Sequence, residues 1–373
     1  MKLQSLSYSE HTRTESESEN PWEIDGLIFS DNFNLLVGKN ATGKTRVISV
    51  INNLAKILNL EAPLLNGYWD VKFSDDDNGF INYELEIINK TVITEKISLG
   101  KKIMLHRNDD TKIRSMTQNR DVPIDPPKDK LVMHIRRDEK EYPYLEKIIA
   151  WAKHTRGFRF GSVVPNAIEV PGDSSKLVGL NAVPSIIDQM NPKTLRMTIQ
   201  DFNEIGYSVE DITTGTDFGL PPILKILKMK EKDITYPIRQ GSISQGMFRA
   251  FALLAIINHF LDIEKDKPTF LVDDLGEGLD YERATKLAKL IHSKVKGKNI
   301  QFIATTNDSF LMNTIDIDCW NILFRNAGKV SAYNYGNSKK LFDEFKSIGL
   351  SNFDLLSSNF ASKLTKKTKK NET

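Results

Sequence analysis

Phe33-Asn34-Leu35-Leu36-Val37-Gly38-Lys39-Asn40-Ala41-Thr42-Gly43-Lys44-Thr45 carries a continuous apolar segment straight into the pattern G-x-x-x-x-G-K-[ST]. From Lys44 onward the periodicity changes. Val47, Ile48, Ile51, Leu54, Ile57 and Leu58 recur at three- and four-residue spacing, which predicts an amphipathic helix. Strand, glycine-rich loop and helix form the P-loop unit, and each residue type has a physical reason. Glycines let the backbone curl so that its N–H groups face a phosphate chain, and the helix N-terminus adds positive potential. Lys44 would reach the β- and γ-phosphates, and Thr45 would ligate Mg²⁺. Gly38, Lys39, Asn40, Ala41, Thr42, Gly43, Lys44 and Thr45 are therefore the expected nucleotide-binding residues.

Working outward, the 373 residues carry 51 Lys plus Arg against 49 Asp plus Glu, a net charge of +2 that offers no global field to nucleic acid or an anionic membrane. Hydrophobic residues at 40% and charged residues at 27% exclude wholesale disorder. The longest apolar run, Phe251 to Ile257, is far short of the roughly 20 residues that span a bilayer, so no membrane association is expected. The N-terminus lacks an apolar signal core, and a single cysteine, Cys319, excludes an internal disulfide and any cysteine-cluster metal site. Cytoplasmic localisation is the resulting default.

Before the P-loop, Leu3 to Tyr8 and Trp22 to Ile28 read as strands. After its helix, Tyr68 to Phe73, Phe80 to Ile88, Val92 to Ile97 and Lys102 to Leu105 alternate in short segments, as in an antiparallel meander. Residues 108–130 are polar and hold Pro123, Pro126 and Pro127, which reads as a loop. Helices are expected at Tyr144 to His154 and Lys193 to Gly206, with mixed strand and loop signals over residues 157–190 and one or two strands in Ile223 to Ile238. From Ser244 a helix to about Leu261 precedes strand Thr269 to Val272, helix Tyr281 to Lys294 and strand Ile300 to Thr305. The fold class is thus α/β with a P-loop, a mixed central sheet and an antiparallel meander; that it is a P-loop ATPase head with an inserted helical lid is what the family resemblance of its motifs implies. Four segments are expected: 1–120 and 236–335 as the two halves of the head, 121–235 as the lid, and 336–373 as a C-terminal helix with a lysine-rich tail, Lys363, Lys366, Lys367, Lys369 and Lys370.

Phe270-Leu271-Val272-Asp273-Asp274 delivers two acids at the end of an apolar strand, where ligands sit in open α/β sheets. Asp273 is the expected Walker B residue on Mg²⁺, and Asp274 sits where a base would polarise the attacking water.

These motifs together resemble the ABC-type ATPases in their SMC-like and overcoming-lysogenisation-like branch. Ile243-Ser244-Gln245-Gly246-Met247 is similar to that family's L-S-x-G-x signature and opens a helix shortly before the Walker B strand. Asp273 to Asp280 aligns without a gap on Walker B acid, catalytic acid and D-loop. Thr306-Asn307-Asp308 follows the next strand, as the family's switch segment does. The resemblance implies that Ser244 and Gly246 contact the γ-phosphate held by a second subunit, so that ATP with Mg²⁺ drives dimerisation. It implies catalytic roles for Asp274 and Asn307.

Two departures bear on rate. Asp274 is one methylene shorter than the usual Glu, and Asn307 replaces a histidine that holds a proton near neutral pH. Slow ATP hydrolysis is the expectation. No heptad run supports coiled-coil arms. Asp316-Ile317-Asp318 follows the switch strand too soon for a nuclease domain and reads as surface. The resemblance implies a stand-alone prokaryotic ATPase of anti-phage defence that assembles as a homo-oligomer and controls a separate effector, a nuclease or toxin. Two alternatives stand beside it. One is a DNA-binding maintenance clamp using Arg136, Arg137, Lys153, Arg156, Arg159 and the lysine tail as phosphate contacts; the other is an ATP-binding scaffold with little turnover.

Overall fold

The computed structural model describes residues 1–10, 21–75, 79–108, 110–166, 182–217, 221, 224–263 and 268–357. Two units emerge: Met1–Thr155 with Asp316–Thr373, and Arg156–Ile315. This division follows compactness and not motif order. It keeps the P-loop with the meander and puts signature, Walker B, D-loop and switch in the other unit.

In the first unit, β1 (Lys2–Ser9), β2 (Glu23–Ile28), β3 (Phe33–Val37), β4 (Gly67–Asp75), β5 (Gly79–Ile88), β6 (Thr91–Leu99), β7 (Lys102–His106), β8 (Lys112–Ser115), β9 (Arg120–Pro123), β16 (Trp320–Asn326) and β17 (Lys329–Asn334) lie in the order β3-β16-β17-β2-β1-β4-β5-β6-β7-β8-β9. The sheet is mixed. β3–β16 and β17–β2 pair in parallel, while the meander from β1 through β9 is antiparallel. Its period-2 pattern puts Trp69, Val71, Phe73, Ile81, Tyr83, Leu85 and Ile87 on one buried face. Helices α1 (Lys44–Leu58) and α3 (Pro143–His154) bring apolar stripes to the core, and Trp151 meets Phe73 at 4.8 Å between ring centroids. α2 is the short Val132–Ile135, and α9 (Tyr335–Ile348) and α10 (Asn352–Ser357) follow β17.

Strand β3 is apolar without alternation and buried at every position, as expected of a central parallel strand. The turn before it is fixed by Asn34, whose Oδ1 accepts the Ser30 amide at 2.7 Å and whose Nδ2 donates to the Ser30 carbonyl at 3.0 Å.

The second unit holds β10 (Thr155–Arg159), β14 (Thr269–Asp273) and β15 (Gln301–Thr305) in that spatial order, with β14 and β15 parallel. Around them are α4 (Val183–Gln189), α5 (Pro192–Glu204), α6 (Gln245–Asp262), α7 (Tyr281–Val295) and α8 (Ser309–Thr314). A small antiparallel sheet joins β11 (Val209–Gly215), β12 (Ile226–Glu231) and β13 (Ile238–Arg239). Helix α6 is apolar almost all round and buried from Met247 to Asn258, which identifies it as the unit's central helix. Its buried Asn258 donates to Thr198 Oγ1 at 3.0 Å and to Asp201 Oδ2 at 2.6 Å, and Lys294 pairs with the same carboxylate at 2.7 Å. One polar knot therefore pins α5, α6 and α7 together.

Two expectations need correction. Residues 108–130 are not all loop, because β8 and β9 form a hairpin at the sheet edge; few of its side chains are buried, so no apolar alternation announces it. Strand β11 and helix α4 were hidden for the same reason, being short and partly polar. The lysine tail lies outside the described residues.

Candidate functional site

The P-loop is built in the first unit. Strand β3 ends at Val37, the loop curls through Ala41 at φ 63 and Gly43 at φ 104, and α1 begins at Lys44. The helix leaves its first amides without intrahelical acceptors, which is the physical basis of an anion cradle. Both motif glycines are sterically required. A Cβ on Gly38 would meet Thr42 Oγ1 at 2.7 Å and the Leu323 carbonyl oxygen at 2.8 Å; one on Gly43 would meet the Trp22 ring at 3.0 Å. Thr42 Oγ1 donates to the Lys39 carbonyl at 2.9 Å and closes the loop. Lys44 is nearly buried, with Nζ donating to the carbonyls of Gly38 at 2.9 Å and Lys39 at 3.3 Å. The lysine thus lies along the loop interior, pointed back over the residues that would hold phosphate.

Sequence reasoning missed two residues here. Trp22 is buried under Gly43 and carries the Arg46 guanidinium 4.4 Å from its ring centroid, with Arg46 ion-paired to Glu10. Arg325 donates to the Ala41 carbonyl at 3.2 Å from the end of β16, steadying the loop crest. Neither carries a motif signal, since both act through the three-dimensional approach of distant segments.

The carboxylate cluster is built in the second unit. Strand β14 delivers Asp273, 3% exposed, whose Oδ1 accepts the Thr305 hydroxyl at 2.7 Å. Asp274 turns out of the strand at φ 56, a left-handed conformation that aspartate tolerates better than most residues. Its amide donates to the same Thr305 Oγ1 at 2.8 Å, and its Oδ1 accepts Asn307 Nδ2 at 3.2 Å. Walker B strand and switch segment are therefore stitched together, as Leu275 N to Thr305 O at 2.8 Å and Thr306 Oγ1 to Leu275 O at 3.2 Å also show. Gly276 at φ 90 and Gly278 at φ 81 bend the D-loop, and Asp280 then caps α7 through the Arg283 amide.

Ser244 occupies the N-cap of α6, its Oγ accepting the Met247 amide at 3.4 Å. Gly246 packs so closely on the D-loop that a Cβ would meet the Gly278 carbonyl oxygen at 2.6 Å. Signature and D-loop are thus neighbours within this unit. Gly38 through Thr45 belong to the first unit and Ser244, Gly246, Asp273, Asp274 and Asn307 to the second. Of the cations considered as phosphate contacts, Arg137 is spent on Glu146 with bonds of 2.6 and 2.8 Å, and Arg156 lies 5.9 Å from the Phe260 ring centroid.

Within each unit the residues present suit their expected part in holding a magnesium nucleotide. The loop curvature needs Gly38 and Gly43, a hydroxyl stands at Thr45, and a buried acid stands at Asp273 with one oxygen already oriented. Among the described residues no three His, Cys, Asp or Glu side chains group as a metal site of their own. No helix there is long and apolar enough to cross a membrane.

Residues 33–313 match the family model described as "AAA domain, putative AbiEii toxin, Type IV TA system". No curated protein matches the sequence. Among solved structures, an Smc head bound to the C-winged helix domain of ScpA is similar at a TM-score of 0.54 and 12% identity, covering 89% of this chain and 98% of that one. An Smc head domain with an extended coiled coil, bound to the C-terminal domain of ScpA and derived from Pyrococcus furiosus, is similar at a TM-score of 0.50 and 12% identity, covering 92% and 99%. The likeness is one of fold: the mixed α/β architecture is that of SMC head P-loop ATPase domains. With a family model matched over most of its length, the chain belongs to this AAA-domain family of ATP-binding ATPases.

Proposed function

We propose that the chain binds Mg-ATP, hydrolyses it slowly, and uses the bound nucleotide to pair with a second copy of itself and so control a separate effector in an anti-phage defence system. Gly38 through Thr45 hold the phosphates, with Lys44 on the β- and γ-phosphates. Thr45 in the first unit and Asp273 in the second are the residues that would each serve as a ligand to the metal, which would draw charge off the phosphates. Asp274 orients water and Asn307 steadies Asp274, while Ser244 and Gly246 face the partner's nucleotide. The observation that carries this reading is the Thr305 hydroxyl, which links Asp273, Asp274 and the switch segment into one cluster around an acid pair.

Dimerisation is supported by the rings of Tyr281 and Phe310, both more than half exposed and 5.4 Å apart, on the helices that follow the D-loop and the switch. Control of a separate protein is supported by the partner-bound state of the similar Smc heads, and a defence setting by the family's description, which names a toxin–antitoxin system. The short Asp274 side chain supports slow turnover, because its carboxylate must serve from a tighter radius than a glutamate's. Phosphate release from Mg-ATP tests the enzymatic half: turnover of about one per second or slower is expected, abolished by Asp274→Ala. Rates in the tens per second, or undiminished release by Asp274→Ala, would contradict the assignment.

A further inference from the structure

Arg249 lies one turn into α6 and is 6% exposed, yet among the described residues its guanidinium bonds only to uncharged groups. Nε donates to the Val163 carbonyl at 2.8 Å and Nη1 to the Glu277 carbonyl at 3.1 Å; Nη2 donates to the Gly161 carbonyl and to Gln245 Oε1, the latter at 3.2 Å. A buried cation satisfied by three main-chain carbonyls from two distant segments is an expensive way to stabilise a helix. It is an effective way to fix the relative position of those segments, because the planar fork sets direction as well as distance.

The packing around it leaves little slack. A Cβ on Gly278 would meet Arg249 Nη1 at 2.6 Å, one on Gly246 would meet the Gly278 carbonyl oxygen at 2.6 Å, and one on Gly161 would overlap the Glu277 carboxylate. Three chain segments therefore interlock around one guanidinium: residues 160–163, the first turn of α6, and the D-loop. From the D-loop the connection continues to the acid pair. The Glu277 amide donates to the Asp274 carbonyl at 3.1 Å, and the Asp274 amide donates to Thr305 Oγ1.

The geometry points to Arg249 as a positioning residue for hydrolysis, one that ties the first turn of α6 to the D-loop so that a ligand engaging Ser244 and Gly246 sets the backbone that presents Asp274. The inference rests on the ATPase reading of the site. A displacement of the α6 turn cannot leave Glu277 behind while the guanidinium holds its carbonyl. Loss of the guanidinium would leave nucleotide binding to the P-loop intact and misplace the hydrolytic group, an effect expected in kcat and not in KM.

The test is steady-state Mg-ATP hydrolysis by the full chain for wild type, Arg249→Met, Arg249→Lys and Gln245→Ala, with thermal unfolding as the check on folding. Arg249→Met should lower kcat by about 30-fold with KM within about twofold of wild type. Lysine should restore part of the loss through its single ammonium. Gln245→Ala removes only the exposed partner of Arg249, and kcat should fall about threefold at unchanged KM. Should Arg249→Met fail to fold, Gln245→Ala decides: a lowered kcat supports the coupling and an unchanged one overturns it. Wild-type kinetics in both Arg249→Met and Gln245→Ala would overturn the coupling and leave the ATPase reading standing. A joint loss of kcat and ATP affinity without lysine rescue would reduce Arg249 to a packing role. Absence of turnover in the wild type would overturn both readings.

Discussion

The Thr305 hydroxyl donates to Asp273 Oδ1 at 2.7 Å while its oxygen accepts the Asp274 amide at 2.8 Å. One fully buried side chain at the end of β15 thus orients the expected metal-holding carboxylate and fixes the left-handed turn at the next residue. Thr305→Val keeps the shape and removes both bonds. Stability should fall by about 1–3 kcal/mol, the cost of leaving buried polar groups unpaired, and kcat by about 100-fold through misplacement of the acids. Denaturant unfolding and turnover on the same preparation check both numbers.

Lys44 bonds two carbonyls of its own loop and is the loop's one buried cation among the described residues. Lys44→Ala should weaken Mg-ATP binding by more than about 100-fold, since a charge-assisted contact to phosphate is lost along with loop support. Titration calorimetry measures it; affinity within about threefold of wild type would remove Lys44 from the phosphate site.

Gly43 stands at φ 104, and a Cβ there would press on the Trp22 ring at 3.0 Å. Gly43→Ala should cost about 1–3 kcal/mol of stability from backbone strain and impair nucleotide binding by shifting the start of α1. Tryptophan fluorescence should report the disturbed Trp22 environment alongside the lower melting temperature.

Glu95 is buried in the meander, with Oε2 accepting the Val132 amide at 2.7 Å, Arg107 Nη1 3.8 Å away and no partner on Oε1. Burial pushes its carboxyl from the usual 4.5 up to about 7, against the opposing pull of the Val132 amide and Arg107. Because the folded state holds the proton more tightly than the unfolded chain, this group's stability contribution is fully present below pH 4.5 and is lost as pH rises to about 7. The loss should amount to about 3 kcal/mol. Glu95→Gln should flatten that part of the stability profile and make the protein more stable than wild type at pH 8. Unfolding measured from pH 4.5 to 8 tests it, and an unchanged slope would contradict the assignment.

What the sequence disclosed depended on whether a residue acts locally. Gly38 to Thr45 lie on the strand-to-helix turn that their pattern predicts, because the loop's shape is set by its own glycines and the flanking periodicities. Strands β4 to β6 were legible because one face of each is buried, so burial alternates close to period two. The β8–β9 hairpin has little to bury and left no such trace. Asn307 was found through its place after an apolar strand, and it does meet Asp274. Thr305, two residues earlier, looked like the end of a core segment; its role follows from β14 and β15 being parallel neighbours, with Val272 opposite Ala304. Arg249 was hidden for the same reason, since three of its partners are main-chain carbonyls whose proximity only folding creates. For Ser244 the family resemblance implies a ligand contact, while the structure gives its hydroxyl a local role as the cap of α6 through the bond from the Met247 amide.

ATP-dependent pairing is the central claim, and mass measured by light scattering tests it most directly, with and without Mg-ATP, for wild type and Asp274→Ala. The predicted result is a monomer mass without nucleotide and a doubled mass with Mg-ATP, persisting longer in Asp274→Ala because the nucleotide that bridges the copies is not cleaved. A mass that is indifferent to ATP in both proteins would contradict the claim and leave Ser244 as a helix cap and nothing more.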